Sequence, residues 1–138
     1  MFRTSLRALL LFLSATILYS GCSLADGDTS IEVRTLEVIA TAYNSLPAQT
    51  HVDHPSIAAW GDKLTPGMKC IAVSRDLIPK GLGHNKEVTI SGLTGTYRVL
   101  DKMNARYTDA IDIYMGVDRD MALEWGRKEV IITWEVSR

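Results

Sequence analysis

Cysteine is scarce in this sequence: only Cys22 and Cys70 occur in 138 residues. A framework of several disulfides is therefore excluded. Net charge is scarce as well, with 15 Lys and Arg against 16 Asp and Glu, or −1. A chain without a basic field gives no reason to expect a nucleic-acid partner. Long apolar runs are missing. Ala8–Leu18, interrupted by Ser14 and Thr16, is too short to cross a bilayer as a helix. There are no internal repeats and no low-complexity tract. The length allows one domain and does not support two.

What the N-terminus does contain is an export signal. Arg3 and Arg7 precede the apolar run, and small residues and Cys22 follow it. Leu18-Tyr19-Ser20-Gly21-Cys22 resembles a bacterial lipoprotein box, with Tyr19 in place of the usual small or aliphatic residue. The expectation is a signal peptide over 1–21, lipid on Cys22 and a tether over 22–34. Ser23-Leu24-Ala25 offers ordinary signal-peptidase cleavage as the alternative. Ser23 does not resemble an inner-membrane retention signal, so an outer membrane facing the periplasm is the expected location. Lipidation of Cys22 leaves Cys70 alone, at the start of a β-like run with no His near it in sequence. It is read as a buried small side chain rather than a nucleophile.

The mature chain punctuates itself with short apolar runs and glycine turns. Ile31–Tyr43 alternates, with Leu36, Val38 and Ala40 on one face, as a half-buried strand does. Residues 44–55 read as a loop. Ile71–Val73, Val88–Ser91, Thr94–Leu100, Ala110–Tyr114 and Val130–Val136 supply five more strands. Arg119–Gly126 is the one convincing helix, after Asp118 as N-cap, with Met121, Ala122 and Trp125 on its apolar face. Six short strands with one helix predict a mainly β protein built as a small closed barrel over 35–138.

Within that barrel, two carboxylates stand out. Asp101 leaves the end of one predicted strand, and Asp112 sits inside another. On neighbouring strands they would face one cleft, the arrangement acid/base chemistry on a sugar needs. A turn acid and a solvated strand acid would look the same in sequence. Tyr43 is read as a sugar-stacking ring or as core, and Trp60 likewise as a platform or as core. Lys102 and Arg106 lie on the polar segment between the acids. His51, Asp53 and His54 are metal-capable, but a third clear ligand is lacking and no metal or other cofactor is expected.

The ordered set of motifs resembles the three-aspartate, or 3D, domain found at the C-terminal end of membrane-bound lytic transglycosylase A and in small secreted cell-wall proteins. The matching pieces are Ala40-Thr41-Ala42-Tyr43, Trp60-Gly61-Asp62-Lys63-Leu64-Thr65-Pro66-Gly67, Ile71–Gly81, Val99-Leu100-Asp101 with Ile111-Asp112-Ile113-Tyr114, and Ala122…Trp125-Gly126 with the final strand. They cover about residues 36–136. Two positions differ. Ser74 stands where the family has its first aspartate, and Lys102-Met103-Asn104 replaces a glycine-rich loop.

The resemblance implies a six-stranded double-psi β-barrel, as in expansins. It implies action on peptidoglycan glycan strands at the MurNAc–GlcNAc bond, with Asp112 as general acid/base and Asp101 as its support. Thr41 and Tyr43 would lie beside that cleft. Lys102 and Arg106 are read from the residues either as solvated loop charges or as cations that meet the acidic groups of peptidoglycan. Two alternatives stay open: a module that binds cell wall without cleaving it, and a hydrolase using the same two acids.

Overall fold

A computed structural model describes residues 30–45 and 56–138. Six strands run in chain order as β1 (Ile31–Tyr43), β2 (Cys70–Val73), β3 (Glu87–Ile90), β4 (Thr96–Lys102), β5 (Ala110–Tyr114) and β6 (Lys128–Ser137). They close into a barrel in the order β1-β5-β2-β4-β3-β6. The pairs β1–β5 and β2–β4 are parallel, and the other four are antiparallel. Neither parallel pair joins strands that are consecutive in the chain, as parallel pairing does not permit a tight hairpin. This is the closed six-stranded barrel with one helix that the residue pattern predicts, in the mixed double-psi form that the resemblance implies.

Alternation explains the interior. Val38, Ala40, Ile71, Val73, Val99, Ile111, Ile113 and Ile132 point inward and are buried. Branched side chains at every second position fill a six-stranded barrel without leaving a channel. The opposite face of β1, β5, β2 and β4 is covered too. There Tyr43, Cys70, Ala72, Leu100, Ala110 and Tyr114 form a second core with Ala58 and Leu64 of the segment before β2. Small residues at 70, 72 and 110 let that segment lie close to the sheet.

Helix α1 (Arg119–Trp125) begins as its sequence indicates, with Asp118 Oδ1 accepting the Met121 N–H at 2.9 Å. It ends at Gly126, where φ is +67°. Ala122 is buried and Trp125 packs on the barrel, but Met121 is 51% exposed.

Strand β1 covers the expected run Ile31–Tyr43 and pairs Ile31–Arg34 with Ser137–Trp134, so the end of the segment expected as a tether over 22–34 is in the barrel. Several other strand ends differ from expectation. Strand β6 starts at Lys128, paired with Ala40, and not at Val130. Strand β4 begins at Thr96 rather than Thr94 and runs through Asp101 to Lys102, because Ala72 and Val73 of β2 extend its ladder. The predicted signal peptide, Cys22 and the 51–54 residues lie outside the described residues. No helix among the described residues is long and apolar enough to cross a membrane.

Candidate functional site

The strand registers set the site. Thr41 is opposite Asp112, Asp112 is opposite Ala72, and Ala72 is opposite Asp101. These four residues therefore cross β1, β5, β2 and β4 in one line. Strands are spaced at about 4.8 Å, so the two acids stand roughly 10 Å apart at Cα, with Ala72 on the strand between them.

Asp101 reaches that line because of a bulge. Ile71 pairs with Val99, yet Ala72 pairs with Asp101, so Leu100 is the extra residue. Regular alternation from the inward Val99 would send Asp101 into the barrel. Leu100 follows Val99 onto the outer face and packs in the second core, and the bulge keeps Asp101 on that outer face as well.

The two carboxylates live in different surroundings. Asp101 accepts three hydrogen bonds, from Tyr43 O–H at 3.3 Å, Ala59 N–H at 2.7 Å and its neighbour Lys102 N–H at 2.8 Å. Among the described residues Asp112 accepts one, from the Thr41 hydroxyl at 3.0 Å. Burial pushes the Asp112 carboxyl up to about 6; the Thr41 bond opposes this and the nearby Asp101 charge adds to it. About a tenth of the Asp112 carboxyls therefore keep their proton at pH 7, against roughly one in a thousand for an ordinary Asp. Burial, and then the Asp101 charge, raise the Tyr43 phenol, which keeps its proton and stays a donor.

Trp60 sits in the turn before Gly61. Its ring stacks on His84 with centroids 5.1 Å apart, and Lys102 Nζ lies 4.9 Å from the Trp60 centroid. Thus Thr41, Tyr43, Asp101, Asp112, Lys102 and Trp60 form one connected neighbourhood. Arg106 does not join it: its guanidinium covers Tyr107 at 4.9 Å and its N–H bonds Asn104 Oδ1. The replaced glycine loop is also accounted for. Met103 is buried in the second core and Asn104 caps the following turn, leaving Lys102 as the residue aimed at the site.

Ser74 carries no acid, and the structure shows what occupies that end of β2. Its buried Oγ accepts the Ala110 N–H at 3.0 Å, and Asp76 Oδ2 accepts the Asp109 N–H at 3.1 Å. Two side chains cap the start of β5, the strand that carries Asp112. Ser74→Ala is expected to lose roughly 1–3 kcal/mol in urea unfolding, since Ala110 N–H is left without its partner in a dry site. Cys70 is fully buried, and burial, with Asp101 and Asp62 adding, pushes its thiol up to about 12. That is the inert role read from the sequence.

Sequence reasoning missed three contributors: the Ala59 backbone N–H, Asp62 and His84. A main-chain donor leaves no residue signature. Asp62 and His84 are 22 residues apart and meet only in the fold, at 2.6 Å. Among the described residues no group of three His, Cys, Asp or Glu could hold a metal.

No protein-family model matches this sequence, and no curated protein matches it. Solved structures do. One is the apo form of an expansin from Clavibacter michiganensis, 18% identical over 75% of this chain and 50% of that one, with a TM-score of 0.47. Another is an aspartate-to-asparagine mutant of the same expansin in complex with cellohexaose, 16% identical over 76% of this chain and 50% of that one, with a TM-score of 0.43. The chain spans half the length of these neighbours.

Proposed function

We propose that this chain binds peptidoglycan glycan strands across the Thr41–Asp112–Ala72–Asp101 line and cleaves them as a lytic transglycosylase. The observation that carries this reading is the inequality of the two acids. One is partly buried, singly bonded and raised to about 6. The other is held by three donors. Environments that separate two carboxyls in this way assign one as acid and the other as fixed charge.

In the reaction, Asp112 gives its proton to the oxygen bridging MurNAc and GlcNAc. The bond from the anomeric carbon to that oxygen breaks, and positive charge develops on the sugar. Asp112, now a carboxylate, takes the proton from the 6-hydroxyl of the same sugar, and that oxygen closes onto the anomeric carbon. The product is a 1,6-anhydro ring, no water is consumed, and Asp112 ends protonated as it began. Asp101 supplies a fixed negative charge near the developing cation. Trp60 offers ring surface to the glycan and Lys102 offers a cation to its acidic groups, whereas Tyr43, buried in the second core, serves by holding Asp101 through its hydroxyl. Lipid on Cys22 would hold the barrel at an outer membrane, facing the periplasm.

A binding module without cleavage is the second reading. It is favoured by the closure of the site on itself: every oxygen of Asp101 already has a protein donor. Both readings share the glycan strand as ligand. Digestion of purified peptidoglycan with mass analysis of the fragments separates them. Anhydro-muropeptides that vanish in Asp112→Asn are the expected result. Reducing ends would replace the transglycosylase by a hydrolase. Co-sedimentation with peptidoglycan without fragments would leave the binding module.

A further inference from the structure

Asp101 takes its shortest hydrogen bond from a turn, not from the barrel: Ala59 N–H donates to Oδ1 at 2.7 Å. A backbone donor is only as well placed as the segment that carries it. The turn over 57–63 closes on itself through the Ile57–Lys63 bridge, Ala58 N–H to Asp62 O and Gly61 N–H to Ala58 O, both 2.8 Å. At its base, Ala58 and Leu64 are buried in the second core. Its tip is tied by side chains. His84 Nε2 meets Asp62 Oδ2 at 2.6 Å, and the His84 ring stacks on Trp60 with 28° between the planes. One imidazole therefore grips the turn on both sides of Gly61.

The residue after His84 fixes that imidazole to the strand that matters. Asn85, at φ +64°, donates its N–H to Val99 O at 2.8 Å. Val99 lies two residues before Asp101 on β4. The turn that donates to Asp101 and the anchor of the turn thus hang on the same strand, and their relative position is set over a short path.

We infer that Asp62 and His84 are positioning residues for Asp101, acting through the 57–63 turn that aims the Ala59 N–H. This rests on the reading of Asp101 and Asp112 as the glycan site. The pair contributes little to holding the barrel together. Both side chains are about a third exposed, at 36% and 29%, and contacts at such sites add little to global stability. Their effect is on where Ala59 points.

The test is amide hydrogen exchange by NMR on the full chain, in wild type, Asp62→Ala, His84→Phe and Asp62→Asn. His84→Phe keeps a ring for Trp60 and removes the bond to Asp62. Asp62→Asn keeps the acceptor. Exchange at Ala59 is expected to rise about tenfold or more in Asp62→Ala and His84→Phe, and to stay near wild type in Asp62→Asn. The Lys102 amide, bonded to the same oxygen from within β4, and the Ala110 amide, bonded to Ser74, are expected to hold. Glycan turnover, or affinity where no turnover exists, should fall with Ala59 protection by roughly ten- to a hundred-fold. Unchanged Ala59 exchange in the first two variants overturns the inference. So does equal acceleration at Ala110, which would make the pair a general structural contact. Wild type that ignores glycan sinks the proposed function instead, while the exchange data still decide this point.

Discussion

Asp112→Asn is expected to abolish glycan cleavage and to make the folded protein more stable at neutral pH. The two effects have one cause. Partial burial holds the Asp112 carboxyl up to about 6 in the fold, whereas an unfolded Asp titrates near about 4. Between those values the folded state binds the extra proton. Stability contributed by the protonated form is therefore complete below pH ~4 and is lost as pH rises through about 6. At pH 7 the wild type carries a desolvated charge with one bond to offset it. Asparagine removes the charge and keeps an oxygen for Thr41 Oγ1. The gain is expected to be roughly 2 kcal/mol at pH 7, measured by urea unfolding, with little difference below pH 4. The step in stability between pH 4 and 6 should flatten in the variant. A solvated strand acid, the bland alternative for this residue, would produce neither the gain nor the flattening. Loss of function with gain of stability is the pattern of a group placed for chemistry.

Asp101→Ala should do the reverse and destabilise. Removing this carboxylate strands the Tyr43 hydroxyl, the Ala59 N–H and the Lys102 N–H at once. Tyr43 is 8% exposed, so water does not readily replace its acceptor. The Ala59 and Lys102 amides are closer to solvent and suffer less. The loss is expected to be about 3 kcal/mol, dominated by the orphaned hydroxyl. A double-mutant cycle isolates that part. In the Asp101→Ala background, Tyr43→Phe should restore a fraction of the stability, whereas in wild type the same change should cost about 1 kcal/mol. Glycan affinity should drop in both Asp101 variants. If Tyr43→Phe is equally costly in both backgrounds, Tyr43 and Asp101 are not coupled, and the support assigned to Asp101 is wrong.

Much of the barrel is legible in the sequence because its strands follow period-two alternation and its turns are marked by glycine and proline. The ends of β1 and β5 coincide with the predicted runs. Asp118 and Gly126 bound the helix as their capping chemistry requires. Asp112 and Thr41 are readable on their strands, and parallel pairing of β1 with β5 puts them opposite each other. The failures have physical reasons. Strand β6 starts early because pairing with β1 recruits Lys128 and Glu129, whose side chains carry no strand signal. Asp101 reads as a residue leaving a strand because the bulge at Leu100, created by pairing with β2, is invisible in a single strand. The contact of the Arg106 guanidinium with the adjacent Tyr107 ring is likewise not marked by any spacing in the sequence. Asp62 and His84 could not be paired without the fold.

The most direct test of the Asp112 chemistry is a titration of its side-chain carboxyl by carbon NMR in the wild-type chain, assigned by comparison with Asp112→Asn. A midpoint close to 6 is expected. It should stay close to that value in Thr41→Ser, since the hydroxyl whose bond holds it down remains, and it should rise further in Thr41→Val, which removes that bond. A midpoint near the ordinary carboxylate value of about 4 would contradict the central claim, because Asp112 would then hold no proton to give at neutral pH.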